Sequence, residues 1–590
     1  MKRGRFPVTT LFRRMATALL AVSVAFPAPL WAQTAETSPQ QPLLEVGAGA
    51  YLAGRYALFE SNFAASAEYF ARALADDPDN PGLMESLVLS QLALGRVDLA
   101  LPVAERMTAS GLQSQAARMA IAADRIERED FGPLITANSD KDGIGPLIDG
   151  LLAAWAYMGT GSVSKALERF DAVADEKGVR SFALYQKALA LALVGDFEGA
   201  EAIYADETTG LSGLSRRAVI ARAEILSQLG RDEAALEAIS EAFGATLDPA
   251  LMAMAERLKA GEVVPFDQVT SIRDGMAEVF FTIGAALKGE ASEDYALIYA
   301  RIATYLRPDH IDALLLCADL LDKLGQYDLA EETFKQVPAN SPDYHAAELG
   351  RAEVLRRAGR IEAAIEVLER LARDYPRLPT VNSALGDLLR QQEDYKGAVA
   401  AYDKALEYTD EGAPGEWFLL YARGISHERL KQWDAAEADF RHALQLYPDQ
   451  PQVLNYLGYS MVERKANLDE ALAMIQRAAE AQPDSGYIVD SLGWVLYRMG
   501  RYDEAVSQME RAVELMAVDP VVNDHLGDVY WAVGRKREAE FQWKRALSFI
   551  KSDDSDNEAD PARIRRKLEV GLDKVLEEEG APPLRAPHGD

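Results

Sequence analysis

Cysteine is almost absent from this chain of 590 residues, which contains only Cys317. A disulfide within the chain needs two cysteines, and a cysteine-rich zinc site needs several. The six histidines occur singly, without the paired spacing of a zinc enzyme. These shortages exclude a fold stapled by disulfides or zinc, and we expect neither a cofactor nor a metal.

Positive charge is also scarce, because 62 Lys and Arg residues face 93 Asp and Glu residues, for a formal net charge of -31. A chain this acidic repels polyphosphate backbones, and no basic stripe with interleaved aromatic residues offsets the repulsion. Nucleic acid is therefore excluded as an expected partner. The simplest interpretation of the net negative charge is that it keeps the protein soluble, and the alternative is an acidic docking face for a basic partner.

Signatures of catalysis are missing too. The sequence has no Gly-x-Ser-x-Gly elbow, no phosphate-binding loop and no dinucleotide fingerprint. Cys317 directly precedes a small residue of the repeat described below, Ala318, which predicts a buried and inert thiol. We therefore expect a protein that is not an enzyme, with a hydrolase that uses an unrecognised carboxylate pair as the rival hypothesis.

Apolar runs long enough to cross a bilayer are lacking as well. The apolar stretch from Met15 to Phe26 is too short to span one, and it follows five cationic residues and precedes a Pro-rich break ending at Ala32. This pattern predicts a signal peptide at residues 1–32, a linker at 33–45 and a periplasmic or otherwise exported protein. No cysteine follows for lipid attachment, so we expect no lipid anchor, and membrane contact only if the signal stays uncleaved.

A repeat of about 34 residues runs through the rest of the sequence. The leading position of each unit carries a small residue, Gly or Ala, except that Val88 fits this pattern poorly. An alanine usually follows twelve positions later. These leading positions are Gly54, Val88, Ala154, Ala188, Ala223, Gly284, Ala318, Ala352, Gly386, Gly424, Gly458, Gly493 and Gly527. Small side chains allow two antiparallel helices to approach closely, so the pattern predicts stacked helical hairpins.

A glycine often lies between the two helices of a unit, where it can adopt the left-handed conformation that ends a helix. These turn glycines are Gly95, Gly195, Gly230, Gly325, Gly359, Gly500 and Gly534. The segments from Leu492 to Ala505 and from Leu526 to Ala546 closely resemble the tetratricopeptide repeat (TPR) family. The resemblance covers residues 46 to 550 and implies an all-α fold, a right-handed TPR solenoid.

The regularity of the repeat divides the chain. We predict an amino-terminal TPR arm at residues 46–265 and a carboxy-terminal TPR arm at 266–550, with degenerate helical pairs in the gaps at 110–145 and 245–283. Residues 551–590 are predicted to form an acidic linker, one capping helix from Pro561 to Glu579 and a disordered tail from Pro582. Residues Asn138 to Asp149 imperfectly match a calcium-binding loop, and we prefer a turn between helices there.

A solenoid of this type offers a concave inner face, formed by the first helices of the hairpins, to a peptide or a protein edge. Aromatic and acidic residues dominate this face in the carboxy-terminal arm, and they are our candidate partner-binding groove. They are Phe418, Tyr421, Asn455, Tyr459, Tyr487, Asp490, Trp494, Tyr497, Asp524, Asp528 and Trp531. The alternative is that these aromatic residues only fill gaps between repeats.

The closing stretch, from Leu454 to Leu547, also resembles envelope TPR proteins that are adaptors of carboxy-terminal processing proteases. That resemblance implies an exported scaffold that delivers substrates to a periplasmic protease. Those adaptors are lipoproteins, and the missing cysteine is a departure from them. An envelope-assembly factor, for polysaccharide export or outer-membrane biogenesis, is the alternative.

Overall fold

The computed structural model describes residues 47–137, 143–211, 215–244, 247–550 and 559–584. Within these ranges the chain is a succession of α-helices joined by short turns, and the one β-bridge is an isolated contact between Lys288 and Ala291. The all-α solenoid is confirmed. The predicted signal peptide, the linker at 33–45 and the acidic linker at 551–558 lie outside the described residues and stay predictions.

Three groups of helices follow one another along the chain. The first is α1 (Gly47–Phe59), α2 (Phe63–Asp76), α3 (Pro81–Ala93), α4 (Val97–Ala109), α5 (Gln115–Glu127), α6 (Gly132–Thr136), α7 (Pro146–Gly159), α8 (Val163–Ala174), α9 (Arg180–Leu193), α10 (Phe197–Ala205), α11 (Arg216–Gln228), α12 (Asp232–Phe243) and α13 (Pro249–Lys259). The second is α14 (Ile272–Leu287), α15 (Glu293–Leu306), α16 (Ile311–Lys323), α17 (Tyr327–Phe334), α18 (Tyr344–Arg357), α19 (Ile361–Asp374), α20 (Pro379–Gln391) and α21 (Tyr395–Glu407). The third is α22 (Glu416–Arg429), α23 (Trp433–Leu446), α24 (Pro451–Glu463), α25 (Leu468–Ala481), α26 (Gly486–Arg498), α27 (Tyr502–Leu515), α28 (Pro520–Ala532), α29 (Lys536–Phe549), α30 (Pro561–Val570) and α31 (Leu572–Glu578).

Each hairpin closes over the small residue that the repeat places on its first helix. A Cβ added to Gly386 would lie 2.7 Å from the ring of Tyr402, and one added to Gly424 would lie 2.7 Å from Phe440. In both hairpins the large residue comes sixteen positions after the glycine. The small sites are therefore the points of closest helix approach, as predicted, because the partner helix fills that space with a large side chain.

The turns between paired helices share one backbone conformation. All seven predicted turn glycines have positive φ, between 67° at Gly230 and 84° at Gly534. The equivalent positions Glu393 and Lys431 have φ values of 60° and 61° without being glycines. The turn geometry is thus a property of the hairpin, and a non-glycine residue adopts it at some conformational cost.

The first gap in the repeat holds α5 and the single-turn helix α6, a degenerate pair. The first five of the twelve residues of the calcium-like motif, 138–142, lie outside the described residues. The carboxylate of its last residue, Asp149, accepts hydrogen bonds from the backbone N–H groups of Ile144 (2.9 Å) and Gly145 (3.0 Å). Those bonds fix the backbone at the start of α7, as a turn between helices requires.

The inner face of the amino-terminal arm packs against helices of the same chain. There α15 packs on α3 and α5, and α14 packs on α7 and α9. The indole of Trp155 on α7 is fully buried, and a Cβ added to Gly275 of α14 would lie 2.5 Å from its ring. The guanidinium of Arg301 donates a hydrogen bond to the carbonyl oxygen of Ala93, at 3.1 Å. The groove of this arm is therefore filled.

Polar groups join this packing through a buried cluster around Glu278 of α14. Its carboxylate accepts hydrogen bonds from the hydroxyl of Tyr185 (2.9 Å) and from Arg217 (2.7 Å), and it lies 3.1 Å from the ring of His310. Burial alone would raise the pKa of Glu278, but Arg217 and His310 outweigh it and lower the pKa to about 2. The cluster ties α9, α11, α14 and α16 together.

The carboxy-terminal arm continues as stacked hairpins up to α29. Consecutive hairpins contact one another, and their first helices also meet, as α24 meets α26 and α26 meets α28. A continuous buried core runs from Leu420 to Leu572 through these hairpins. The first helices α24, α26 and α28 thereby form one continuous inner face.

Two helices, and not the one predicted, follow the last hairpin. The predicted helix from Pro561 to Glu579 breaks at Gly571, whose φ of 83° separates α30 from α31. An α-helix cannot continue through a residue in this conformation. A Cβ at Gly571 would also lie 2.5 Å from the indole of Trp531, so the break lets the pair fold closely onto α28. The part of the predicted tail beyond Leu584 lies outside the described residues.

Candidate functional site

A pocket of about 910 Å³ opens on the inner face of the carboxy-terminal arm. The first helices α24, α26 and α28 form one side, α30 and α31 form the other, and the following residues 579–584 also line it. Five of the eleven predicted groove residues line it. They are Tyr459, Trp494, Tyr497, Asp524 and Asp528.

Three stacked rings form the centre of this wall. The indole of Trp494 lies parallel to the ring of Tyr497, with centroids 4.8 Å apart, and parallel to the imidazole of His525, at 3.9 Å. The indole N–H of Trp494 donates to the carboxylate of Glu463 at 3.0 Å. Stacking and hydrogen bonding both fix Trp494, and Trp494 and Tyr497 are each 8% exposed, so the wall is preformed and presents only a small part of each ring to the pocket.

The imidazole of His525 places a titratable group in this stack. Its Nδ1 lies 3.1 Å from both carboxylate oxygens of Asp490, which is on α26 of the preceding hairpin. Burial alone would lower the pKa of His525, but Asp490, together with Asp524 and Asp528, outweighs burial and raises it. Asp490 is therefore a partner of His525 inside the protein, and it is only 7% exposed.

Two of the predicted groove acids are bound by the α30 helix. The ammonium of Lys567 donates to Asp524 at 2.8 Å and to Asp528 at 2.6 Å, and its side chain is fully buried. Asp528 also accepts the indole N–H of Trp543, at 2.9 Å. These acids were predicted to face a partner directly, and the structure instead pairs them beneath the hairpin of α30 and α31.

The remaining predicted residues are spread over the same arm. Phe418 is 40% exposed and Tyr487 is 66% exposed, and neither lines the pocket. Tyr421 is half-buried, its ring 5.9 Å from that of Tyr456. The half-buried Asn455 lies one turn before Tyr459 on α24. Trp531 donates its indole N–H to Asp573 of α31 at 2.9 Å. That any of these residues binds a partner stays a prediction.

The sequence reasoning missed the other side of the pocket. Arg563, Leu576 and residues 579–584 line it, with Arg563 paired to Glu579 at 2.7 Å. These residues lie beyond the last repeat, so the periodicity gives no information about them. The sequence predicts a helix here, but the place where it docks is set by tertiary contacts.

Outside the pocket, three further features of the described residues bear on function: the cysteine, possible metal ligands and possible membrane-spanning helices. Cys317 is fully buried, as predicted, and burial raises the pKa of its thiol. Among the residues that the structure describes, no three metal-ligating side chains cluster together. No helix in that part of the chain is both long and apolar enough to cross a bilayer.

Comparison with known families agrees with the hairpin geometry. The model of the family described as tetratricopeptide repeat matches residues 51–114, 315–379, 383–451 and 462–520. These four segments of the chain therefore match tetratricopeptide repeats. Of the three first helices that line the pocket, α26 lies wholly inside a matched segment, 462–520, whereas most of α24 and α28 lies outside the matches.

Two similar proteins share part of the repeat region. The chain is 31% identical over 176 residues to the TPR repeat-containing protein PA4667 of Pseudomonas aeruginosa, which is 29% of this chain and 28% of that protein. It is 25% identical over 168 residues to the human protein O-mannosyl-transferase TMTC1, or 28% of this chain and 19% of that one. The chain thus spans less than a third of either relative.

Solved structures resemble the chain to a limited degree. The APC/C hetero-tetramer Cut9-Hcn1 matches 90% of this chain and 97% of its own, at 15% identity and a TM-score of 0.36. A tetratricopeptide repeat protein from Parabacteroides merdae matches 44% of this chain and 97% of its own, at 19% identity and a TM-score of 0.36.

Proposed function

We propose that this protein is an exported, non-catalytic adaptor that holds a segment of a partner protein in the pocket of its carboxy-terminal arm. The observation that supports this most directly is the pocket itself, a preformed aromatic wall opposite a second wall from α30 and α31. Rigid aromatic surfaces supply contact area at a small loss of side-chain entropy.

The charges around the pocket suit a polypeptide partner. Glu463 and Glu579 lie on its walls together with Arg498 and Arg563, so side chains of both signs surround the aromatic centre. A mixed polar rim around an apolar centre is the usual composition of a protein interface. The adjacent carboxylates of Asp524 and Asp528 are both bound by Lys567, which disfavours the rival hydrolase hypothesis.

Export and substrate delivery are the finer parts of the proposal. The predicted signal peptide at residues 1–32 supports export, and the resemblance of the closing repeats to protease adaptors supports delivery of substrates to a periplasmic protease. Envelope assembly remains the alternative, and the identity of the captured partner separates the two.

Site-directed photocrosslinking in intact cells tests this function. A photoreactive phenylalanine at Tyr459, which lines the pocket, is compared with one at Val518, which is 70% exposed and outside it. We expect a defined exported protein to crosslink at position 459 and not at 518, and Arg498→Ser to reduce the yield severalfold. Equal capture at both positions, or an unprocessed signal peptide with cytoplasmic partners, would reject the proposal.

A further inference from the structure

The residues that follow α31 form a short segment without regular structure that lines the pocket. Gly580, with a φ of 65°, ends the helix, and the backbone N–H of Ala581 donates to the carbonyl of Leu576 at 2.8 Å. This reversal directs the chain back along the pocket wall. Residues 580–584, here called the Pro-Pro segment, all line the pocket.

The sequence of the Pro-Pro segment prevents it from forming a helix. Pro582 and Pro583 fix their own φ angles, lack an N–H donor and bias the residue before each of them toward extended geometry. The structure accordingly shows no regular element from Ala581 to Leu584. An extended, proline-stiffened chain loses little entropy on binding, which makes it a good ligand for an aromatic surface.

One side chain anchors the Pro-Pro segment to the repeat array. Leu584 is half-buried and packs against the apolar cluster that contains Trp494 and Tyr497, whereas Pro582 and Pro583 are exposed. Among the described residues, the segment's backbone makes no hydrogen bond beyond the helix-ending turn. A single half-buried leucine is a weak attachment, because it removes only part of one apolar side chain from water.

We infer that the Pro-Pro segment is an internal occupant of the partner site, and that a partner binds through an extended segment of the same chemistry. Such a segment has a proline-stiffened backbone followed by a leucine-type anchor. The internal copy competes with it and must leave the pocket before the partner can bind fully. This inference deepens the proposed function by naming the class of peptide that the pocket accepts.

The contrast with Lys567 identifies which part of the carboxy-terminal region can move. Lys567 is buried in a double ion pair, and removing one partner of such a buried pair is strongly destabilising. The α30 and α31 hairpin is therefore held firmly as a wall. The Pro-Pro segment, attached by one apolar contact, is the part of the pocket that exchanges.

A binding experiment with the full-length chain tests this inference. A fluorescent synthetic peptide with the sequence of residues 579–588 is titrated with the wild-type protein and with Leu584→Ser, and its anisotropy is measured. We expect at least fivefold tighter binding to Leu584→Ser, because that change releases the internal competitor. The control Val518→Ser, an exposed position outside the pocket, should bind the peptide as the wild type does.

Further arms separate competition from unfolding. Pro582→Gly combined with Pro583→Gly weakens the internal segment without touching its anchor and should also tighten peptide binding. A peptide that carries serine in place of its leucine should bind at least tenfold more weakly. Equal affinity for wild type and Leu584→Ser, or no peptide binding to either, would overturn the inference. Failed photocrosslinking at Tyr459 with the peptide result intact would instead overturn only the proposed function.

Discussion

The inner faces of the two arms are built from the same kind of repeat, but the groove is filled in one arm and leaves a pocket in the other. In the amino-terminal arm the first helices α3, α5, α7 and α9 are covered by α14 and α15, and the aromatic residue at the centre, Trp155, is fully buried. In the carboxy-terminal arm α24, α26 and α28 leave a pocket in front of Trp494. The same repeat therefore makes a closed core where helices of the chain fill its groove and leaves a pocket where they do not.

The filled groove also shows which contacts an inner face makes with a helix. Gly275 lets the α14 backbone approach the Trp155 ring, and Glu278 of the same helix pairs with polar groups of α9 and α11. The pocket of the carboxy-terminal arm has matching features, a central indole and charged side chains around it. The comparison supports peptide binding there by the same kinds of contact.

The largest expected effect comes from Trp155→Ala, which removes the centre of the closed groove. We expect the free energy of unfolding to fall by about 3–5 kcal/mol, the usual loss for a large core aromatic residue. Urea denaturation followed by circular dichroism measures the loss, and hydrogen exchange should show faster exchange in α14. The matched control Tyr487→Ala, 66% exposed, should stay within about 0.5 kcal/mol. A loss below 1 kcal/mol for Trp155→Ala would show that the groove does not hold α14.

A second test uses the two buried histidines, one at each groove. His310 lies against Glu278, and burial together with Arg217 lowers its pKa. His525 lies against Asp490, and the carboxylates around it raise its pKa despite burial. Histidine-selective NMR should therefore show His310 titrating below about 6.5, the ordinary value, and His525 above it.

The two shifts have opposite consequences for stability. The contribution of His525 is complete below about pH 6.5 and is lost as the pH rises through its raised pKa. That of His310 is complete above about pH 6.5 and is lost as the pH falls through its lowered pKa. Relative to the wild type, His525→Gln should be more destabilising at pH 6 than at pH 8.5. His310→Gln should be less destabilising at pH 6 than at pH 8.5. Parallel pH dependence of the two variants would contradict the assigned partners.

The smallest expected effect concerns a turn in the carboxy-terminal arm. Lys431 has positive φ at a position where other repeats have glycine, and the left-handed conformation costs a non-glycine residue about 1–2 kcal/mol. Lys431→Gly should raise the free energy of unfolding by about 0.5–1 kcal/mol, after the entropy of glycine is subtracted. The control Lys404→Gly, inside α21, should lower it by about 1 kcal/mol. Thermal denaturation distinguishes the two, and a destabilising Lys431→Gly would refute the strain argument.

Local features were predictable from sequence because each repeat encodes its own hairpin. The small sites and turn glycines lie where they were predicted, since spacing within one hairpin fixes both. In most hairpins a large residue stands sixteen positions after the small site, as Tyr402 does after Gly386, and this spacing could have been predicted from the repeat. Five groove residues line the pocket because they share one face of their helices.

Contacts between distant parts of the chain were not predictable from the repeat. Nothing in the spacing indicates that Gly275 meets Trp155, or that Lys567 enters the pair of acids on α28. Such contacts depend on the curvature accumulated over several hairpins. The burial of Asp524 and Asp528 and the second wall of the pocket both follow from them.

The contact of Arg301 with the backbone of Ala93 joins residues about two hundred positions apart. This contact resists extension, because force applied to the ends of the amino-terminal arm acts on it and on the Glu278 cluster at the same time. The hairpins from α16 to α29 chiefly hold their immediate neighbours, as links in series do. Under tension the carboxy-terminal arm should therefore extend before the amino-terminal arm. The force would then also act on a partner bound in the pocket.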